Sequence, residues 1–319
     1  MIYRLLVFCG FAIIILMNTP KQLAIIGPTA SGKTALSIKI AQKINAYVLS
    51  LDSLSIYKEI DIVSAKPAPQ EREGIEHFGI DHLYPDQNFD VTTFIKLYED
   101  VYALALKKKK NLVIVGGTSF YLKMLIEGIS TLPMISAQTK HKTQTYLKSL
   151  HDAYEWLKDL DPWYMSQIAS NDSYRIEKAL NIYFETSFTP SEYFKQFPPK
   201  PTIKTALRIY QIMIERETLR SRIALRTQQM IKSGLIDEIC RLEKKYTRTP
   251  YCMKAIGIKE TLAYLDGIYD KKMLHEKITV HTAQLAKRQT TFNRSQFNNV
   301  TKGNTEELEK IILNDMKLA

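Results

Sequence analysis

Apolar positions run together in three short blocks: QLAIIG (22–27), AYVLSLD (46–52) and NLVIVGG (111–117). Blocks of this length, rich in β-branched residues and without polar alternation, predict strands buried on both faces. Around them the spacing becomes helical. KTALSIKIAQKI follows the first block, and DVTTFIKLYEDVYALALKKKK precedes the third. Asp90 is placed to cap that second helix, and Lys107–Lys110 stand in its last turn, where the helix dipole favours cations. Strands alternating with helices predict an α/β fold, a parallel sheet flanked by helices.

Strand signals fade from Thr131. Residues 131–198 read as a helical insertion, closed by the Pro-rich connector FTPSEYFKQFPPKPTIK. TALRIYQIMI then predicts a return to the sheet, and 215–319 reads as a mainly helical C-terminal region. The expected core is therefore 17–130 with 199–319. At the N-terminus, LLVFCGFAIIILM (5–17) is shorter than a comfortable bilayer span and lacks a small-x-small cleavage site. It has three readings: an upstream extension with Met17 as the start, an anchor, or a buried helix. The first is preferred, which makes 1–16 a non-native extension and implies no membrane association.

Composition changes the picture in one respect. The net charge is +11, and residues 201–300 alone hold 19 Lys and Arg against 9 Asp and Glu. Such localised positive charge suits a polyanion such as nucleic acid. The three cysteines, Cys9, Cys240 and Cys252, show no metal-ligand spacing and read as free thiols of a reducing compartment. The six histidines form no zinc-like cluster.

The most informative stretch is GPTASGKT, comprising Gly27, Pro28, Thr29, Ala30, Ser31, Gly32, Lys33 and Thr34. It lies between a predicted strand and a predicted helix, the context of a phosphate loop. Its glycines let backbone N–H groups turn toward an anion, Lys33 adds a point charge, and Thr34 can ligate Mg²⁺. Asp52 ends the second strand beside it. It reads either as a general base or as a cap for the turn that follows, with the two evenly balanced on pattern alone. The third strand ends in Gly116–Gly117 without an acidic residue, which argues against a motor-type ATPase.

Taken together, the motifs resemble the bacterial tRNA dimethylallyltransferase (tRNA isopentenyltransferase) family from Lys21 to about Phe297. They are GPTASGKT (27–34), SLDSLSIYKEIDIVSAKP (50–67), HFGIDHLYPDQNFDVTTF (77–94), GGTSFYLKMLIEG (116–128), NDSYRIEKALNIYFETS (171–187), RIALRTQQMIKSG (222–234), AIGIKE (255–260) and AKRQTTFNR (286–294). The resemblance implies a P-loop NTPase-like fold whose loop holds dimethylallyl diphosphate. It implies transfer of the prenyl group to N6 of the adenine at tRNA position 37, 3′ of the anticodon. Asp52 would be the base, Thr118 would bind diphosphate or orient the amine, and Arg226 would stabilise the leaving group. Arg226 shares an R-x-x-x-R element with Arg222.

The same resemblance assigns tRNA contacts to Asp52, Ser53, Leu54 and Ser55, and to Tyr174, Arg175 and Lys178 in the insertion. The basic residues Lys254, Lys259, Lys287, Arg288 and Arg294 are candidates for backbone phosphates, although for any single lysine a solvated helix face is the better reading. Departures from the family pattern are Ser55 for a common Gln, Tyr174 for a common Gln, and Phe292 for a frequent Trp. The implied cofactor is Mg²⁺, the partners are the tRNA anticodon stem-loop and dimethylallyl diphosphate, and the setting is a cytoplasmic monomer. Two other classes remain: a nucleotide or small-metabolite kinase, and a non-catalytic RNA-binding module with a vestigial loop.

Overall fold

The structure is a computed structural model that describes residues 19–318. The expectation for residues 1–16 lies outside the described residues. Two compact units divide the chain, one comprising the residues up to Lys123 together with those from Ile203 onward, the other Met124–Thr202.

The first unit opens with β1 (Gln22–Ile26), α1 (Lys33–Lys43), β2 (Ala46–Leu51) and β3 (His77–Phe78). It continues with α2 (Val91–Lys108), β4 (Asn111–Gly116) and the start of α3 (Ser119–Glu127). Asp90 caps α2 as its position predicts, its side chain accepting from the Thr93 N–H. All pairings in the six-stranded sheet are parallel, in the order β3-β2-β4-β1 and then two later strands.

The Met124–Thr202 unit is helical: α4 (Ala137–Tyr146), α5 (Leu150–Leu160), α6 (Pro162–Met165), α7 (Ser173–Thr186) and α8 (Pro190–Gln196). Its core gathers Ala153, Leu157, Met165, Ile168, Ile176, Ala179 and Leu180. Asp161 is buried there. Its carboxylate accepts from the Tyr164 N–H and from both the N–H and the hydroxyl of Ser191, joining three elements through one charged acceptor.

The chain then returns through β5 (Arg208–Ile212), α9 (Arg216–Lys232), α10 (Leu235–Tyr246), α11 (Ile258–Leu265) and α12 (Lys271–Gln296). It closes with β6 (Val300–Gly303) and α13 (Thr305–Leu318). β5 pairs with β1, and β6 pairs with β5 at the sheet edge. A hydrophobic core lies on one sheet face, where Leu36 and Ile40 of α1 and Leu308 and Ile312 of α13 cover Leu23, Ile25, Val48, Val113 and Tyr210. The predicted strands appear where the apolar blocks placed them. β3 and β6 do not show in the pattern, because edge strands are short and partly solvated.

Register puts the site at one edge. Ile26 of β1 and Leu51 of β2 both stand opposite Gly116 of β4, so three central strands end level. Gly27, Asp52 and Gly117 are the next residues of each. β4 lies between β1 and β2, so the chain changes direction here, and the crevice beyond such strand ends is where open α/β sheets bind ligands. Among the described residues, no helix is long and apolar enough to cross a membrane.

Candidate active site

The loop from β1 to α1 has the backbone that its glycines permit. Gly32 is left-handed at φ 95° and caps α1, and Ala30 is also left-handed at φ 62°. A side chain at position 32 would be strained in this conformation, which suits glycine. The Ser31 hydroxyl is buried without a hydrogen-bond partner. The Lys33 ammonium folds back to donate to the Pro28 carbonyl at 2.6 Å. Thr34 is exposed in the first turn of α1.

Cations and one carboxylate meet at this loop. Arg226 on α9 reaches the Thr29 hydroxyl at 3.4 Å. Burial pushes the Lys33 pKa down to about 7, with the Asp52 charge opposing that shift and Arg226 adding to it. Burial also lowers the Arg226 pKa, again opposed by Asp52. Asp52, Lys33 and Arg226 therefore sense one another, although they stand far apart in the chain. Asp52 Oδ1 accepts from the N–H groups of Leu54 and Ser55 at 2.8 and 3.0 Å. The Thr118 N–H donates to Leu51 O at 3.0 Å, fastening the turn after β4 to the end of β2.

Ser53 is exposed, Leu54 is half-buried, and Ser55 is buried with its hydroxyl 3.2 Å from that of Ser50. Tyr121 stands nearby on α3, its ring stacked on Phe94 at 5.2 Å and edge-on to Phe89. Burial pushes the Tyr121 pKa up to about 12, with smaller contributions from Asp90, Tyr251 and Asp52.

The basic candidates lie on exposed positions. Lys254 sits 5.9 Å from the ring of Tyr251, Lys259 lies 3.5 Å from Glu260, and Lys287, Arg288 and Arg294 line the exposed side of α12. Tyr174, Arg175 and Lys178 belong to α7 in the Met124–Thr202 unit. Tyr174 and Arg175 are exposed, Arg175 pairs with Asp172 at 3.4 Å, and Lys178 lies 5.3 Å from the Tyr174 ring.

Two residues that hold the surrounding chain were not singled out by the sequence. Gln289 of α12 accepts the Thr29 N–H at 2.8 Å. It lies inside the AKRQTTFNR stretch, where charge drew attention to its neighbours. Glu238 of α10 is buried and accepts three successive backbone N–H groups, from Asp61, Ile62 and Val63, at 3.0, 2.7 and 3.0 Å. The Lys66 ammonium joins the Tyr57 carbonyl, Asp61 and Asp81 from within the same segment. Together they hold the chain that follows the Asp52 turn.

The fold and the loop define an α/β protein of P-loop-like fold with a carboxylate beside its glycine-rich loop. A family model described as IPP transferase matches residues 55–296. The chain belongs to this family, the tRNA dimethylallyltransferases. It is 69% identical over 298 residues to the tRNA dimethylallyltransferase of Sulfurovum sp. (strain NBC37-1), covering 93% of this chain and 99% of that one. It is 57% identical over 295 residues to that of Sulfurimonas denitrificans, covering 92% and 99%. Among solved structures it is similar to the tRNA isopentenylpyrophosphate transferase of Bacillus halodurans, with a TM-score of 0.69, 28% identity and 94% and 97% coverage. It is also similar to a eukaryotic dimethylallyltransferase acting on tRNA, with a TM-score of 0.77, 25% identity and 92% and 79% coverage.

Proposed function

We propose that this enzyme transfers the dimethylallyl group of dimethylallyl diphosphate to N6 of the adenine at position 37 in the anticodon loop of tRNA. The observation that carries the reading is the meeting of Lys33, Arg226 and Asp52 at the level ends of β1, β2 and β4. Two cations beside a phosphate loop suit a diphosphate, and a carboxylate beside them suits removal of a proton.

In this reading the loop amides, Lys33 and Arg226 hold the diphosphate. The N6 lone pair attacks C1 of the prenyl group while the C1–O bond breaks, and its electron pair leaves with diphosphate. Delocalisation makes the adenine amine a weak nucleophile, so Asp52 takes the N6 proton as the new bond forms. Lys33 and Arg226 stabilise the charge that grows on the departing oxygen. Thr118, just before α3, faces the same transfer as a diphosphate or amine contact. The Tyr121 ring gives the five-carbon chain an apolar wall.

A divalent cation fits the donors present. Among the described residues, no cluster of three or more His, Cys, Asp or Glu forms a protein-only metal set. Mg²⁺ characteristically binds few protein ligands and several phosphate oxygens. Thr34 would hold it, with the diphosphate supplying the other oxygens, and Mg²⁺ would neutralise charge on the leaving group.

An adenine within a stacked loop cannot reach a buried diphosphate, so the nucleotide must leave the stack. Ser53, Leu54 and Ser55 would meet the base, while Lys254, Lys259, Lys287, Arg288 and Arg294 would meet backbone phosphates. Tyr174, Arg175 and Lys178 would give the Met124–Thr202 unit its own tRNA contact. The enzyme would act as a monomer in the cytoplasm, where its tRNA substrate resides.

The test is incubation with unmodified tRNA, labelled dimethylallyl diphosphate and Mg²⁺. Label appearing in tRNA supports the reading. ATP turnover on a small acceptor would instead indicate a kinase, and tRNA binding without turnover a binding module.

A further inference from the structure

We propose that Gln289 is a positioning residue that sets the shape of the diphosphate cradle and ties it to α12. The inference rests on the reading of the loop as a diphosphate site.

Thr29 is held from two sides. Its N–H donates to Gln289 Oε1 at 2.8 Å, and its hydroxyl meets Arg226 Nη1 at 3.4 Å. Two helices distant in sequence, α9 and α12, thus grip the same loop residue. The other end of the Gln289 amide lies over the turn after β4. A Cβ built on Gly117 would fall 2.3 Å from Gln289 Nε2. Gly117 is not in the left-handed region, so its backbone does not require glycine. A side chain at 117 would instead have to displace the Gln289 amide. One carboxamide therefore spans the two loops that flank the cradle.

The same face of α12 continues in amides. Asn293, one turn on, is fully buried with no partner for either amide atom, and Gln296 accepts from Lys123. A helix face serving packing alone would bury apolar side chains here, because an unpaired buried amide is unfavourable. The adjoining face carries Lys287, Arg288 and Arg294, so Gln289 connects a cationic helix to the anion cradle. Fixing the Thr29 N–H keeps the start of the loop in place and leaves the later turn, with its left-handed Ala30 and Gly32, open toward the ligand.

Three variants test this: Gln289→Met, which keeps length but removes both polar ends; Gly117→Ala; and Gly117→Ala combined with Gln289→Ala. Steady-state transfer gives kcat and KM, titration with inorganic diphosphate gives an activity-independent affinity, and thermal melting reports the fold. Gln289→Met is expected to raise the dimethylallyl diphosphate KM and weaken diphosphate binding about tenfold, the loss of one hydrogen bond. We expect kcat to stay within about threefold and tRNA affinity within about twofold of wild type. Gly117→Ala should reproduce the shift. The double variant should be no worse than Gly117→Ala alone, because contacting residues are not additive.

Wild-type KM and diphosphate affinity in a folded Gln289→Met protein would overturn the proposal. So would independent, multiplying effects at positions 117 and 289. Should Gln289→Met lose its wild-type melting midpoint, Gly117→Ala carries the test alone. If the wild-type protein transfers no prenyl group, the diphosphate titration still decides the role of Gln289, and the two failures stay distinct.

Discussion

The Asp52 carboxylate accepts the Ser55 N–H at 3.0 Å through Oδ1, the same oxygen that accepts from Leu54. The cap and the base are thus compatible roles. Oδ1 closes the turn, and Oδ2 is left to take a proton. Asp52→Asn preserves the cap and removes the base. It is expected to cut single-turnover transfer about 10²–10⁴-fold with little change in unfolding free energy. Asp52→Ala should lose the same rate and also about 0.5–2 kcal/mol of stability, the cost of a missing cap. Near wild-type transfer by Asp52→Asn would reduce Asp52 to a cap.

Lys33 predicts a pH dependence of ligand binding. Its pKa in the free protein is pushed down to about 7. A bound diphosphate favours the protonated ammonium, so above pH 7 binding must take up a proton. Affinity for dimethylallyl diphosphate should fall as pH rises from 7 to 9, by up to about tenfold per unit. Calorimetry at pH 8 in buffers of different ionisation enthalpy should register that uptake. Lys33→Ala should bind weakly at every pH in this window and show a flatter profile.

Arg175 separates the two ligands. It is exposed on α7, in the unit that does not contain the phosphate loop. Arg175→Ala should weaken tRNA binding and lower the slope of log K against log salt by about one unit. Its affinity for dimethylallyl diphosphate should match wild type. Filter binding across a salt series, beside a diphosphate titration, makes the comparison, and equal losses for both ligands would refute the assignment.

Gly116 is required by packing. A Cβ there would fall 2.4 Å from Leu51 O, a backbone atom of the neighbouring strand. Gly116→Ala must push β4 away from β2, at a cost of about 1–3 kcal/mol. Chemical denaturation should show a lower midpoint, and transfer should fall because Asp52 follows Leu51 directly.

Glu238→Ala would leave three backbone N–H groups of the 61–63 segment, that of Val63 buried and those of Asp61 and Ile62 partly buried, without their acceptor. The expected loss is about 3 kcal/mol, measured by denaturation. Glu238→Gln, which retains one carbonyl oxygen, should fall between wild type and alanine.

The local elements were legible because each rests on short-range chemistry. The apolar runs of β1, β2 and β4 bury both faces, Asp90 caps its own helix, and GPTASGKT can turn only as its glycines allow. The order of the motifs also carried the family, since ordered motifs do not require coordinates. The sequence placed Asp52 and Lys33 as candidates but left Asp52 divided between cap and base.

Only the tertiary structure decided what meets across the sheet. Crossover of the chain from β1 to β2, with β4 between them, brings residues 27, 52 and 117 to one level edge. Gln289 and Glu238 became visible there because an uncharged amide and a buried acid declare themselves only through partners 260 and 175 to 177 residues away. β3 and β6 stayed hidden because a short edge strand takes its hydrogen bonds from a neighbour that its own side chains do not specify.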